Sequence, residues 1–360
     1  MIVRFKKITQ SVLLGLLAMS GTILLVVVGF FAYSTITDYQ PDSIEIIAYE
    51  KANSFDTIPV GRLKLYTWNI GYCGLGAEMD FFYEKGSMVM PDRKSYEKYS
   101  KGIGKQLSEL PKPDFVLLQE VDRHSKRSYY DNQVARFQII FNGYSSAFAF
   151  NYKVPFIPIP MKSPMGKVNA GLLTFSHFKP TEAQRVDYHS SYSWPKRLFL
   201  LDRCFILTRY LVSNSRQLVL INLHNSAYDD AAEMRTKELK LLKSVLVEEY
   251  SKGNYVIAGG DWNQNPLPFR QDSIRDGNLA KSITPGIPDD FLPMGFKWVF
   301  DPNFSTNRDV DKPYTKSKTA TSIIDFFVLS PNINLLSTNT LQTNFEFADH
   351  QPVEMEVELK

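Results

Sequence analysis

The sequence contains little cysteine and no surplus of either charge. Only two of its 360 residues are cysteines, and neither lies in a CxxC or Cys/His cluster. A disulfide-stapled scaffold and a thiolate zinc site are therefore excluded, and any metal must be bound by oxygen and nitrogen. The 41 basic and 38 acidic side chains nearly balance. This balance disfavours unspecific binding to long nucleic acid, because such binding usually relies on a basic surplus.

The amino terminus lacks acidic residues and carries a long uncharged run. Residues 11–33 are 23 residues without a charge, which is about 34 Å of helix and enough to cross a hydrocarbon core about 30 Å thick. Basic residues precede this run within residues 1–10, so the positive-inside rule places everything after it on the extracytoplasmic side. We predict a single-pass transmembrane signal anchor. A cleaved signal peptide followed by secretion is the alternative.

The rest of the chain shows no repeat, low-complexity tract or Gly/Ser linker. Residues 34–61 are predicted to be a tether, and residues 62–360 to form one catalytic domain. Runs rich in β-branched and aromatic residues predict strands; they are residues 63–68, 115–118, 171–175, 205–210, 218–223, 255–258, 323–329 and 353–359. Helical spacing of apolar residues predicts helices over residues 96–110 and 229–250. Strands interleaved with helices indicate an α/β or α+β sandwich.

Polar side chains lie at the ends of six of these strands. They are Asn69, Glu120, His224 and Asp261 at strand ends, with Asn263 two residues further on, and Asp325, Asp349 and His350 at strand starts. If the last two strands run antiparallel to the first four, all these groups meet on one rim of the sandwich. Carboxylate and amide oxygens suit Mg²⁺, with Mn²⁺ as the alternative ion, and phosphate is the natural substrate for such a cation.

Each of these motifs alone has an ordinary structural explanation. GDWN alone would be a tight turn, Glu120 a charge facing solvent, and His224 a half-buried imidazole. Their joint occurrence at strand termini, in a consistent order along the chain, favours the functional interpretation.

Six motifs carry a resemblance to a known family. TWNIG, LLQEVD, INLHNS, GGDWN, SIIDFFVLS and ADHQPV resemble, in this order, the signature blocks of the endonuclease/exonuclease/phosphatase superfamily, which has the fold of pancreatic deoxyribonuclease. The resemblance covers roughly residues 62–360. It implies a four-layer sandwich, with two mixed β-sheets face to face and helices outside, and metal-dependent phosphoester hydrolysis. MGKVNAGLLTFS is similar to a further block, in which Asn169 becomes a candidate substrate-binding residue.

The resemblance also implies a metal site and a position for the attacking water. Glu120 would be the main metal ligand, and Asn69 and Asp349 would complete or steer its shell. Asp261 and Asn263 would position the nucleophilic water and the phosphoryl group.

Two histidines complete the implied catalytic set. His350, oriented by Asp325, would act as a base or as a cation that stabilises the phosphate, and His224 would lie on the other side of the phosphate. Which histidine is the base stays open. Histidine at 224 resembles deoxyribonucleases, neutral sphingomyelinases and inositol-phosphate phosphatases, whereas abasic-site endonucleases commonly have tyrosine there. Abasic-site repair is therefore disfavoured.

Two segments near the motifs provide candidates for substrate contact. After Glu120, Arg127 is placed to reach a phosphate and Tyr129 a substrate ring or chain, with a solvated loop as the alternative. Residues 154–164, VPFIPIPMKSP, are predicted to be an extended apolar loop that touches lipid, covers the cleft or packs on the sheet edge.

Taken together, these features predict an enzyme that hydrolyses phosphoric ester bonds. Neutral charge and the membrane anchor favour a phosphodiesterase acting on a small or lipid-linked phosphoester outside the cytoplasm, as a monomer. An exported nuclease that degrades DNA or RNA is the first alternative, which the motifs favour and the charge disfavours. A catalytically silent binding domain is the second, but it predicts a decayed ligand set, and this set is intact.

Overall fold

Four helices are present in the part of the chain that the structure describes. The computed structural model describes residues 2–50, 55–190, 192–227, 232–267, 269, 274 and 284–360. The helices are α1 (Ile2–Ile36), α2 (Arg93–Ser108), α3 (Gln133–Ile140) and α4 (Glu233–Ser251). The start of the helix predicted over residues 229–250 lies partly outside the described residues, and α4 begins at Glu233.

The described strands follow the predicted ones closely at most positions. They are β1 (Ile44–Ile46), β2 (Tyr49–Glu50), β3 (Arg62–Asn69), β4 (Phe115–Asp122), β5 (Ser145–Ile157), β6 (Gly166–Ser176), β7 (Glu182–Asp187), β8 (Cys204–Leu211), β9 (Gln217–His224), β10 (Tyr255–Asp261), β11 (Lys297–Val299), β12 (Asn307–Arg308), β13 (Thr321–Ser322), β14 (Asp325–Leu329), β15 (Ile333–Thr340) and β16 (Val353–Leu359).

Two seven-stranded mixed sheets face each other. The first has the order β1-β7-β8-β9-β10-β14-β11 and the second β15-β16-β3-β4-β6-β5-β2. An apolar layer fills the space between them; it includes Leu65, Leu117, Leu220, Ile257 and Phe327. Helix α4 packs on the outer face of the first sheet, and α2 and α3 pack on the outer face of the second. The predicted four-layer sandwich is confirmed.

Strand direction brings the polar motifs to one rim. Strands β9 and β10 are parallel, so His224 lies beside Asp261. Strand β14 is antiparallel to β10, which places Asp325 beside Asp261 as well. In the second sheet β3 and β4 are parallel and β16 is antiparallel to β3. The antiparallel arrangement on which the sequence argument depended is therefore present in both sheets.

Edge strands are where the structure departs most from the sequence prediction. The segment predicted as a tether contributes β1, which pairs with β7, and β2, which pairs with β5. Residues 154–157, predicted to be loop, form the end of the thirteen-residue strand β5. β1 and β2 lie at sheet edges and are too short for an apolar pattern, so local sequence does not report their pairing. Residues 154–157 are apolar and extend β5, which lies between β6 and β2.

Helix α1 stands outside the sandwich. Its segment Gln10–Ile36 is long and apolar enough to cross a membrane, and its most apolar window is not buried in the domain. A signal sequence near an amino terminus meets the same criteria. The carboxyl end of α1 touches the domain, where Phe30 stacks on Phe199 with ring centroids 5.7 Å apart.

Candidate active site

The rim carries a cavity of about 380 Å³ into which most of the predicted site residues project. The predicted residues that line it are Glu120, Arg127, His224, Asp261, Asn263, Asp349 and His350. Asn69 and Asp325 contact these lining residues from behind. The structure thus brings together residues that are far apart in the sequence. For example, Trp68, next to Asn69, donates its indole N–H to the carbonyl of His350, which is 282 positions away.

Asn69, at the end of β3, links two carboxylates of the cavity. Its Nδ2 donates to Glu120 Oε1 at 3.2 Å and to Asp261 Oδ2 at 3.0 Å. Its Oδ1 accepts from the backbone N–H of Gly71 at 3.0 Å. The Asn69 amide therefore fixes the positions of the Glu120 and Asp261 carboxylates relative to each other.

A β-bulge aims Glu120 into the cavity. The pairing of β4 with β6 shifts register between Leu118 and Val121, and Glu120 adopts a left-handed φ of 54°. A bulge inserts an extra residue and re-aims a side chain, and such strained positions cluster at functional sites. Asn263 has a similar φ of 51°, so both motifs depart from regular backbone where they reach the cavity.

Asp261 lies between two imidazoles. Its Oδ2 is 3.4 Å from His224 Nε2 and 3.9 Å from His350 Nε2, and its Oδ1 accepts from the backbone N–H of Asn263 at 2.9 Å. Burial raises the pKa of Asp261 to about 6, with Asp325 adding to the rise and His350 opposing it. The carboxylate is thus ionised at neutral pH, with a proton affinity suited to a general base.

His350 is held as a cation. Its Nδ1 is 2.8 Å from Asp325 Oδ2. Burial alone would lower the pKa of His350, but the Asp325, Asp349 and Asp261 carboxylates outweigh it and raise the pKa to about 10. The charged ring donates from Nδ1 to Asp325, and its Nε2 lies 3.1 Å from Asn307 Nδ2. Because Nε2 and the Asn307 nitrogen are both donors when the ring is charged, Nε2–H is left to donate to a ligand.

His224 has the opposite protonation. Burial, and then the nearby charges of Arg203, His350 and Arg127, lower the pKa of His224 well below its ordinary value. The ring is neutral at neutral pH, and its buried Nδ1 has no hydrogen-bond partner. The two histidines on either side of Asp261 are therefore chemically distinct, which residue types alone did not reveal.

We expect the Asp325→Asn change to release the proton from His350 near neutral pH. Without the Asp325 carboxylate, burial is opposed by Asp349 and Asp261 alone, so the pKa of His350 should fall from about 10 towards its ordinary value of about 6.5. The measurement is an NMR titration of the histidine ring protons of the full chain in detergent, with His350→Gln to assign the signal. An unchanged titration would contradict the pairing.

The carboxylates around Asp349 fit a divalent cation. Asp349 Oδ1 is buried without a hydrogen-bond partner. Burial raises the pKa of Asp349 to about 7, and the Glu120 carboxylate adds to the rise. Glu120 and Asp349 repel each other, and one oxygen of Asp349 is unsatisfied. A cation between them would relieve both, and carboxylate oxygens are the ligands that Mg²⁺ or Mn²⁺ prefers. Glu120 and Asp349 would therefore hold the metal.

A second group of potential ligand atoms lies beside this one. Asp261, Asp325 and His350 each offer an atom within 4.8 Å of the others. However, Asp325 Oδ2 and His350 Nδ1 already satisfy each other at 2.8 Å. Asp325 Oδ1 and Asp349 Oδ1 are both buried without a partner, but the ring of His350 is charged and a charged imidazole cannot ligate a metal. The Glu120 side is therefore the better cation site.

We expect Gly71→Ala to weaken metal binding. Gly71 has a φ of +49°, and a Cβ there would lie 2.6 Å from Asp349 Oδ1, so the carboxylate must move. Disturbing the surroundings of a ligand typically costs about 10–100-fold in metal affinity, and Mn²⁺ titration by electron paramagnetic resonance would measure this. Gly253→Ala is the matched control, because it shares a positive φ of +84° but meets nothing within 4 Å. Equal effects of both changes would point to backbone strain alone.

The predicted substrate-binding residues are only partly gathered at the cavity. Arg127 lines it but is 4% exposed, paired with Asp122 at 3.0 and 3.2 Å and stacked 3.7 Å over the Tyr72 ring. The solvated-loop alternative is therefore wrong for Arg127. The Tyr129 hydroxyl donates instead to the Pro91 carbonyl at 2.9 Å.

Neither Tyr129 nor Asn169 is among the described residues that line the cavity. The backbone N–H and carbonyl of Asn169 exchange hydrogen bonds with the Ser125 hydroxyl at 2.9 and 3.2 Å. This contact holds the segment after Glu120 against β6. The structure thus gives Asn169 a backbone contact that supports the Glu120 segment.

Sequence reasoning missed several residues of the cavity, and three of them carry polar contacts or charge. Asn307 contacts His350 from the two-residue strand β12. Arg203 lines the cavity with a buried Nη1 that has no partner. Arg308 donates to the carbonyls of residues 75, 76 and 79 and so closes one wall. None lies in a recognisable motif or a regular strand pattern, so no sequence signal identified them.

Comparison with known proteins agrees with this geometry. The sequence model of the endonuclease/exonuclease/phosphatase family matches residues 66–342. The chain belongs to this family. Members of the family are typically metal-dependent phosphoester hydrolases, and the acids of the cavity suit that chemistry. No curated protein matches the chain.

Solved structures of the endonuclease/exonuclease/phosphatase family share the fold at low identity. TDP2 of D. rerio, complexed with a single strand DNA product, is 15% identical over 82% of this chain and 99% of its own, with a TM-score of 0.52. A family protein of Bacteroides vulgatus is 13% identical over 83% of this chain and 99% of its own, with a TM-score of 0.53. TDP2 of Caenorhabditis elegans is 13% identical over 82% of this chain and 74% of its own, with a TM-score of 0.51. At these identities the likeness shows the fold alone.

Proposed function

We propose that this chain is a membrane-anchored, Mg²⁺-dependent phosphodiesterase that hydrolyses a small or lipid-linked phosphoester outside the cytoplasm. One observation carries the proposal: a single cavity places the acids Glu120 and Asp349 beside a buried carboxylate that lies between a charged and a neutral imidazole. A cation site, a base and a fixed positive charge are three elements that promote phosphoester hydrolysis.

Each side chain has a role that follows from its charge. Glu120 and Asp349 hold the cation, which when bound neutralises phosphoryl oxygens as a Lewis acid. Asp261 accepts one proton of the attacking water as the water oxygen bonds to phosphorus. The P–O bond to the leaving alcohol then breaks, and the departing alkoxide takes up a proton from solvent. The His350 imidazolium donates to a phosphoryl oxygen, and Asp325 keeps it charged. The proposal thus assigns the base to Asp261 and the fixed positive charge to His350.

His224 and Asn263 position the base. The neutral His224 ring presents Nε2 to Asp261 Oδ2 at 3.4 Å, and the backbone N–H of Asn263 binds the other carboxylate oxygen. The side-chain amide of Asn263 donates to the Asn225 carbonyl at 2.8 Å, which fixes the turn. Asp261 is therefore oriented from both sides without losing its charge.

The direct test is hydrolysis of bis-p-nitrophenyl phosphate by the full chain in detergent. We expect release of p-nitrophenol with Mg²⁺, loss of release with a chelator, and recovery on addition of Mg²⁺ or Mn²⁺. p-Nitrophenyl phosphate, a monoester, measures the preference for diesters. No release from either ester in the presence of both metals would refute the proposal.

A nuclease is the second candidate function. The D. rerio TDP2 structure, which has this fold, holds a single strand DNA product. Charge argues against it here: without Arg4, Lys6 and Lys7 the 41 basic residues become 38, equal to the 38 acids. Nicking of supercoiled plasmid in Mg²⁺ by the same preparation distinguishes the two functions. If the protein nicks plasmid faster than it hydrolyses the small diester, the nuclease is favoured.

A further inference from the structure

We infer that the cavity takes its substrate from the bilayer: the headgroup of a membrane phospholipid enters past an apolar rim that rests on the lipid surface beside α1. The apolar rim consists of Phe156, Ile159, Met161 and Trp194. This inference rests on the proposed function and narrows its substrate class to lipids.

The end of α1 is in contact with the apolar rim. Phe30 packs edge-on against Phe156, with ring centroids 6.3 Å apart, and Phe31 packs against Trp194 at 5.9 Å. The Trp194 indole N–H also donates to Thr35 Oγ1 at 3.3 Å. The candidate membrane span and the apolar rim therefore form one continuous surface.

The length of α1 indicates where along the bilayer normal its contact with the apolar rim lies. Gln10–Ile36 is 27 residues, or about 40 Å of helix, whereas the hydrocarbon core is about 30 Å thick and the headgroup layers extend it to about 40–45 Å. Phe30 and Phe31 lie in the last two turns, so they sit near the headgroup level. The apolar rim then lies at the boundary of headgroups and acyl chains, where aromatic side chains are enriched.

The apolar rim is exposed beyond its contact with α1. Met161 is 88% exposed, Trp194 57%, Phe156 43% and Ile159 42%. Scattered apolar residues on a surface are normal, but these four belong to two segments that meet at the foot of a candidate membrane span. An apolar surface in that place is expected to insert into the interface rather than face water. The bilayer is therefore the occupant that the geometry favours.

A short stretch of chain connects the apolar rim to the catalytic cluster. Phe199 stacks on Phe30 with ring planes 5° apart. The next two residues, Leu200 and Leu201, line the cavity. Arg203 follows, with a buried Nη1 that lacks a partner. The apolar contacts lie on the membrane side, and a guanidinium with an unsatisfied N–H lies on the inner side. This arrangement matches a lipid whose acyl chains stay in the bilayer while its phosphate enters.

The test uses the full chain reconstituted in vesicles of equal parts phosphatidylcholine, phosphatidylglycerol and sphingomyelin. The double variant Met161→Glu/Trp194→Glu places two charges on the apolar rim and changes no cavity residue. We expect at least about tenfold slower phospholipid headgroup release, since a charge at the interface opposes insertion, with unchanged hydrolysis of soluble bis-p-nitrophenyl phosphate. Ile139→Glu/Met294→Glu is the matched control, because both residues are exposed and lie outside the apolar rim and the cavity.

A second measurement reports docking without catalysis. Dibrominated phosphatidylcholine in the same vesicles should quench tryptophan fluorescence. Trp194→Phe should abolish most of the quenching, because Trp68 and Trp262 are buried and Trp298 packs against the core of the first sheet. Absence of quenching, or equal lipid hydrolysis by the rim and control variants, would overturn the inference. Wild-type activity on the soluble diester without lipid hydrolysis would also overturn it and leave the proposed function standing. Inactivity on both substrates would instead remove the proposed function.

Discussion

Asp261→Asn is expected to lower kcat for diester hydrolysis by about 10²–10⁴-fold, the range for loss of a general acid or base. Asparagine keeps the shape of the side chain and an oxygen that accepts from the Asn263 backbone. It cannot take a proton from water. The measurement is kcat at saturating substrate and Mg²⁺. The melting temperature, measured alongside, reports the stability lost where the new amide nitrogen faces Asn69 Nδ2.

Asp114→Asn is the matched control for this prediction. Asp114 is also a largely buried carboxylate whose pKa is raised by burial, and it accepts from the Lys64 backbone, outside the cavity. Near wild-type turnover is expected. Alanine at Glu120, His224 or His350 should each cost about a hundredfold or more. If Asp261→Asn stayed within about tenfold of the wild type, Asp261 would not be the base.

Arg127→Met is expected to lower the free energy of unfolding by about 3–5 kcal/mol, the cost of leaving one member of a buried ion pair without its partner. Asp122 is 0% exposed, and its two oxygens accept from the Arg127 guanidinium. Methionine retains much of the packing over the Tyr72 ring but removes the charge. Chemical denaturation of the full chain in detergent measures the change.

The double variant Asp122→Leu/Arg127→Met separates charge from packing. Replacing both charges with apolar side chains is often close to neutral, so most of the lost stability should return. Lys98→Met is the exposed counterpart, since it breaks the surface pair of Lys98 with Glu78, and should cost at most about 1 kcal/mol. A double variant as unstable as Arg127→Met would show that the charge pairing is not the cause.

Much of the fold was predictable because its signals are local. The strands β9 and β10 coincide with nearly continuous apolar runs, and β3 and β16 with alternating ones. The polar residues at the ends of these strands are visible in the sequence. The edge strands were not predictable. β1 and β2 contain three and two residues, too few for a periodic pattern, and they exist because a paired neighbour is present.

The candidate site was predictable in its membership but not in its chemistry. Asp325 and His350 were paired by resemblance, and the structure shows their hydrogen bond. Nothing in the sequence distinguished His350 from His224, although burial and three carboxylates raise the pKa of one and burial lowers that of the other. Arg127 was chosen for its charge, and its partner Asp122 gives that charge a structural role.

The sequence by itself determined the sandwich, the polar residues at its strand ends and an apolar helix long enough for a membrane, because each is a pattern of neighbouring residues. Only the tertiary structure decided which histidine is charged, that Asn307 and Arg203 reach the cavity, and that the apolar rim meets α1. These properties depend on burial and on contacts between distant segments, such as Phe31 with Trp194. No local pattern encodes such contacts, because the two partners meet only when the chain has folded.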